Sequence, residues 1–320
     1  MSTTQVPTMQ ASGYRWVVVG LWSLSSLTGV LIITNIGILL PSISTEFKLG
    51  VGEQGLLSSS AFWGSLALGI PISWWTARYR PKKLTAVVLV LGTLLVFVQG
   101  LAPAFVTLLA ARLVFGIVWL SIEPAKALLI QQWFQDREIV LVMGMSNVMY
   151  AAIVGGGLWA TPFVLSGLGD DWRATYYVFG TFLVVLAVLW VALGRERISM
   201  EYKRRDAPYG PGLLLKVMAF RDLWVGGVGF IGALTVQTAF FTFYPTLMLD
   251  TYDMPLRWTG GILAISTIVG GLSGLAVSYT VMKMGGHRRI LHALGILMVG
   301  TYVSLTLTDS APLLIGLAVI

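Results

Sequence analysis

The chain has 320 residues, 56% of them hydrophobic and only 11% charged, and its net charge is +7. Soluble domains run near about 25% charged residues, so this composition excludes a soluble fold and marks an integral membrane protein. With no cysteine there are no disulfides, thiolate metal sites or thiol catalysis, and two histidines (His287, His292) are too few for a metal site, so no cofactor is expected.

Residues 1–13 form a polar tail. Residues 14 to about 43 are apolar with one flanking Arg15, far longer than the apolar core of a secretory signal, and predict a retained spanning helix. Pro41 and the polar run 42–53 are expected to close it. Helix 2 is expected over 54–75, ending in the basic cluster Arg78, Arg80, Lys82 and Lys83, and helix 3 over 84–101, before a turn at Pro103. Helix 4 covers 108–134, and after a polar break helix 5 covers 139–165. A turn at 167–173 leads into helix 6, 174–194. Residues 195–221 then bring seven Lys/Arg, two prolines and an amphipathic patch at 213–220, the best boundary in the chain. Helices 7, 8 and 9 are expected over 222–249, 258–282 and 290–307, and the last ten residues open a tenth. Each span fits the ~20 residues that a bilayer requires.

The basic residues orient these spans. With the amino terminus cytoplasmic, sixteen Lys/Arg fall on the inner side and three (Lys48, Arg173, Arg257) on the outer. The positive charge is therefore topology, with some contact to anionic lipid, and nucleic acid is excluded as a partner. A shift of 205 residues superposes helix 2 on helix 8, pairing Gly55 with Gly260, Gly69 with Gly274, Ser73 with Ser278, Arg78 with Lys283 and Lys83 with Arg288. Parallel repeats joined by a basic loop mark transporters whose site lies between two halves. The expected domains are a six-helix bundle (1–194), a cytoplasmic loop (195–221) and an incomplete second bundle (222–320).

Helix 4 carries the chain's unusual chemistry, Arg112, Glu123 and Lys126 at bilayer depth, where a charge costs at least about 2.5–3.5 kcal/mol. Eleven residues at about 100° each place Arg112 and Glu123 on nearly one face, about 16 Å apart along a continuous helix. Lys126, three residues after Glu123, is placed to pair with it. Arg112 reads either as a fixed cation facing a cavity or as a tie to backbone carbonyls or an acid. Glu123 with Lys126 reads as a proton-linked or gating pair, or as a structural ion pair. Pro124 can kink the helix.

Several motifs resemble those of the major facilitator superfamily of secondary transporters. The helix 2–3 loop, from Ser73 through Ala77, Arg78 and Arg80 to Lys82 and Lys83, is similar to the family's G-x-x-x-D-R-x-G-R-R, keeping the basic residues without the glycines and the aspartate. Helix 4 matches with Arg112, Gly116, Pro124, Trp133, Phe134, Arg137 and Glu138, and helix 6 with its Trp172-Arg173 start. Gly155-Gly156-Gly157 of helix 5 lacks the proline frequent in the family's exporters. The resemblance implies an all-α bundle of two six-helix repeats, the second truncated in helix 10 with roughly 80 residues absent.

The same resemblance implies that helices 1, 4, 5, 7 and 8 line a central cavity. It places Asn35, Asn147, Tyr150, Gln237 and Tyr244 near the cavity as substrate contacts, with interhelical hydrogen bonding the alternative for each, beside Arg112 and Trp119, the latter seven residues on and either a cavity wall or lipid-facing bulk. Gating or coupling falls to Glu123, Lys126, Pro124, Arg78, Lys82, Lys83, Lys283 and Arg288. Gly227, Gly229 and Gly232 spell a dinucleotide fingerprint, but within a membrane span it reads as packing. The expected function is alternating-access transport of a small polar or anionic organic solute across the inner or plasma membrane by a monomer, in the uptake direction, with proton coupling left open. A drug or metabolite exporter of the same fold is the alternative, and a non-transporting sensor or intramembrane enzyme a remote one.

Overall fold

The structure, a computed structural model, describes residues 13–76, 79–134, 136–197, 218–284, 287–307 and 310–319. These residues are overwhelmingly helical, because apolar depth offers no water to backbone groups and a helix satisfies them internally. The first span is α1 (Tyr14–Thr34) with α2 (Ile36–Phe47), the second α3 (Val51–Thr76), and the third α4 (Pro81–Gly100). The fourth is α5 (Phe105–Leu120) with α6 (Ile122–Trp133). The fifth joins α7 (Asp136–Tyr150), a π-helical turn (Ala151–Gly155) and α8 (Gly156–Gly167). Then come α9 (Trp172–Leu193), α10 (Arg221–Tyr252), α11 (Leu256–Met284), α12 (His287–Thr306) and α13 (Ala311–Val319). Among the described residues, seven helical stretches are long and apolar enough to cross a membrane. Residues 198–217, and with them most of the amphipathic patch, lie outside the described residues.

Two expectations about helix boundaries are corrected. The first span does not close at Pro41: its helix is interrupted at Asn35 and runs on to Phe47, with Pro41 inside α2 and left-handed Lys48 (φ 52°) ending it. Ile36, Ile38, Leu39, Leu40 and Ile43 are all buried, and that packing together with backbone satisfaction outweighs the proline's cost of about 3 kcal/mol. The fourth span is not continuous, because α5 gives way to α6 at Ser121. Pro124 accounts for this: a proline ring clashes with the carbonyl four residues back, here Leu120, and it sits in the first turn of the next helix, where a proline is readily tolerated.

Spans one to six pack around one large apolar core that includes Trp22, Phe115, Trp119, Tyr176, Leu183 and Trp190. We call the end where the chain enters α1 proximal and the end at Phe47 distal. Proximally, Arg15 pairs with Glu138 at 2.9 Å, and Trp190 Nε1–H donates to the Lys82 carbonyl at 3.0 Å. Distally, Trp172 Nε1–H and the Arg173 guanidinium both donate to Glu46, and Arg173 also reaches the Ala102 carbonyl at 2.9 Å. The Trp-Arg start of the sixth span thus fastens the ends of the first and third. Glu46 lies past the apolar part of α2, and Arg173 beside it holds its carboxyl below the usual carboxylate range.

The two halves meet along glycines. Gly37 of α2 lies against the backbone of Phe241 and Thr242 in α10, so close that a Cβ there would stand 2.9 Å from the Thr242 oxygen. A Cβ on Gly260 of α11 would stand 2.7 Å from the Leu158 oxygen in α8, and one on Gly271 2.7 Å from the Ala151 Cβ. The π-helical turn lies on this second seam, with Gly155 facing Ala264. Along α10 the character changes: Trp224, Val228 and Ile231 are more than half exposed, whereas Phe241, Tyr244 and Met248 are buried in a cluster with Ile38 and Leu158. The halves are therefore in close contact at the distal ends of the first and seventh spans.

Candidate functional site

Arg112, on α5, is 1% exposed. Its Nε donates to the Leu57 carbonyl at 3.2 Å, Nη2 to the Ile33 carbonyl at 3.1 Å, and Nη1 to the Tyr176 hydroxyl at 3.2 Å. One guanidinium thus joins the first, second, fourth and sixth spans. It is a tie to carbonyls and not, in this structure, a cavity-facing cation. The bond to Ile33 falls just before the interruption at Asn35, and the one to Leu57 lies in the adjoining α3, so Arg112 ties the first span to the second at that point.

Glu123 is exposed while Arg112 is buried, so the two stand in different surroundings along the fourth span. The expected Glu123–Lys126 pair is likewise not formed, since neither side chain has an ion-pair or hydrogen-bond partner among the described residues. Lys126 instead turns to the first span, its Nζ standing 5.6 Å from the Trp22 ring centroid. There it lines, with Trp22, Ser23 and Ser146, a small hollow of about 10 Å³, closed by apolar Val19, Leu129 and Ile130. Trp22 is buried and its indole Nε1–H has no partner among the described residues.

The other expected contacts divide. Trp119 is no cavity wall: 4% exposed, it stacks on Phe115, covers Gly29 and Gly92, and donates from Nε1 to the Ser26 carbonyl at 3.2 Å. Asn35 is fully buried between α1 and α2, and neither its amide nitrogen nor its oxygen has a partner among the described residues. Tyr244 is buried at the distal seam, its hydroxyl without a partner among the described residues, and Tyr150 packs against the same cluster. Asn147 is exposed beside α11, its carbonyl facing Gly271, and Gln237 is exposed on α10. Lys82 and Lys83 open α4, the former lending its carbonyl to Trp190. Arg78 and the side chains of Lys283 and Arg288 lie outside the described residues. The structure therefore brings Lys126 together with Trp22, Ser23 and Ser146, three residues the sequence did not single out. The only mark they carry there is small or amphipathic chemistry inside long apolar runs.

The family model for the Major Facilitator Superfamily matches residues 22–320. Among curated relatives, the uncharacterized transporter YybO of Bacillus subtilis is 24% identical over 280 residues, covering 80% of this chain and 63% of its own length. The hexuronate transporter of the same organism is 23% identical over 289 residues, covering 87% of this chain and 66% of its own. The chain thus spans just under two thirds of the length of each. A solved bacterial homolog of the human lysosomal transporter Spinster, inward-facing and unoccupied, superposes over 96% of this chain and 72% of its own with a TM-score of 0.75 at 16% identity, a likeness of fold.

Proposed function

The chain belongs to the major facilitator superfamily, matched over residues 22–320, and we propose that it is a secondary transporter that carries a small organic anion across a membrane by alternating access. The observation that carries this reading is the seam between the halves. Gly37 against Phe241 and Thr242 closes the distal ends of the first and seventh spans, while the proximal part of α10 stays exposed. Two rigid bundles in contact at one end are what a rocking mechanism requires. The fold likeness to an inward-facing structure agrees with a state closed distally. The anionic class is supported by the relative named for hexuronate, a carboxylate sugar, and by the unpaired cation Lys126 at bilayer depth. The amino terminus lies on the cytoplasmic side, as the distribution of basic residues favours. Glu123, exposed and unpaired, is the group through which a proton gradient would act.

The test is uptake of labelled glucuronate into proteoliposomes, with and without an imposed pH gradient. Saturable uptake inhibited by other small carboxylates is expected, with glucose failing to compete. Uptake of neutral sugars that ignores carboxylates would remove the anion reading, and the absence of any solute flux from folded protein would remove the transport reading.

A further inference from the structure

We infer that Asn35 and Tyr244 form a release device in the distal seam: their polar groups lose their partners when the halves close there, which keeps the closed seam from becoming a trap. This rests on the alternating-access reading above and names the side chains that set how readily the seam reopens.

The seam closes over polar groups that it does not satisfy. Tyr244 is 3% exposed, and its hydroxyl has no partner among the described residues. Its surroundings are apolar, a cluster that draws Leu31 and Ile38 from the first span, Leu158 from the fifth, and Phe241 and Met248 from α10. Asn35 faces the same cluster. Across the interruption its N–H still donates to the Leu31 carbonyl at 2.8 Å, and its own carbonyl accepts from the Leu39 N–H at 3.2 Å, so the helical register carries through. Leu31 lies four residues before Asn35 and Ile38 three after it, which puts all three on one face. Asn35 is 0% exposed there, with a donor and an acceptor both unpartnered among the described residues.

The backbone repeats the pattern. Pro245, inside α10, has no N–H for the Phe241 carbonyl four residues back, and that carbonyl is the one lying against Gly37. Pro41, inside α2, stands in the same relation to the Gly37 carbonyl. Each helix therefore brings to the contact a carbonyl without its usual helical donor, and the Gly37 Cα offers Phe241 only a weak C–H donor.

A buried polar group without a partner has given up hydration for nothing, so each one raises the closed arrangement relative to any in which water reaches it. Asn35 and Tyr244 sit where α2 and α10 part, and they are hydrated when the halves separate. The apolar contacts of Ile38, Phe241 and Met248 pull the other way and hold the seam shut. An orphan inside one half has no such leverage. Thr85 of α4, 0% exposed with an unpartnered hydroxyl among the described residues, stays buried whether the seam is open or closed.

The test is the rate of maleimide labelling of purified Met248→Cys protein without solute, since that side chain is 0% exposed in the closed seam and reacts only on opening. Adding Tyr244→Phe, which deletes one oxygen, should slow labelling about five- to tenfold. Adding Asn35→Leu, which removes a donor and an acceptor in a side chain of similar size, should slow it at least about tenfold. Thr85→Val should leave the rate unchanged. If either folded seam variant labelled as fast as its Met248→Cys parent, or faster, the inference would be refuted and the transport reading would stand. Folded Met248→Cys protein that never labels would show a seam that does not open, and the alternating-access reading would fall with the inference. Should one seam variant not fold, the other decides alone.

Discussion

Adding one methyl group at Gly37 should hold the distal seam open. The new Cβ would meet the Phe241 oxygen well inside van der Waals contact, and would stand 2.9 Å from the Thr242 oxygen and 3.0 Å from its Cα. These are backbone atoms of α10, which cannot rotate aside as a side chain would. Carbon contacts are comfortable at about 3.5–4.0 Å, so α2 and α10 must part by more than about half an ångström in the closed state. Overpacking of this kind costs about 1–3 kcal/mol, and the state in which the two helices are apart bears none of it. The closed population should fall by roughly 5- to 150-fold relative to the open one. The chain has no cysteine, so a single Met248→Cys, at a side chain 0% exposed in the closed seam, reports opening through its rate of maleimide labelling. Gly37→Ala should raise that rate at least several-fold. Gly116→Ala is the control: its Cβ would collide with the Ala61 backbone inside one half, lowering stability without changing labelling. If folded Met248→Cys protein labelled equally fast with and without the Gly37→Ala substitution, the seam would be refuted as the closing contact.

Arg112→Ala should lower the melting temperature sharply, since it orphans the Leu57 and Ile33 carbonyls and the Tyr176 hydroxyl at once, at a cost of more than about 2 kcal/mol. Transport should then fall with the amount of folded protein while KM for the solute holds; a normal melting temperature with a raised KM would contradict the structural role. Arg173→Ala should loosen the distal staple through Glu46 and Ala102 and remove a pH dependence. Because Arg173 lowers the Glu46 carboxyl in the folded state, its stabilisation is complete above the ordinary carboxyl value of 4.5 and is lost as pH falls through the depressed folded value. Thermal melts from pH 6 downward should show this loss in wild type and a shallower decline in the variant; parallel curves would exclude Glu46 as a contributor. Trp119→Phe deletes the bond to the Ser26 carbonyl and should destabilise by about 1 kcal/mol with unchanged solute affinity, which separates packing from substrate contact in one melt and one isotherm.

The spans were legible because apolar runs of bilayer length separated by basic or glycine- and proline-bearing turns leave few alternatives. What the residues along one helix could not disclose is where that helix breaks. The spacing of Glu123 and Lys126 suggested a pair, but α5 gives way to α6 at Ser121 and Lys126 turns to Trp22 instead. Pro41 misled in the opposite sense, because tertiary packing kept the helix going beyond it. Arg112 was visible as anomalous, but its destination depends on carbonyls presented by residues 55 and 79 positions away in sequence, which no local pattern encodes.

The two cations of the fourth span now stand in different energetic positions, and that difference bears on function. Each costs at least about 2.5–3.5 kcal/mol to place at bilayer depth. For Arg112 three hydrogen bonds offset the cost, and the first, second, fourth and sixth spans are joined in return. For Lys126 the described residues offer one aromatic face at 5.6 Å, worth about 0.5–2 kcal/mol, and no hydrogen-bond or ion-pair partner. Lys126 therefore keeps more of its penalty than Arg112 does: one cation of the span is committed to packing, and the other keeps its donors uncommitted in this state of the bundle.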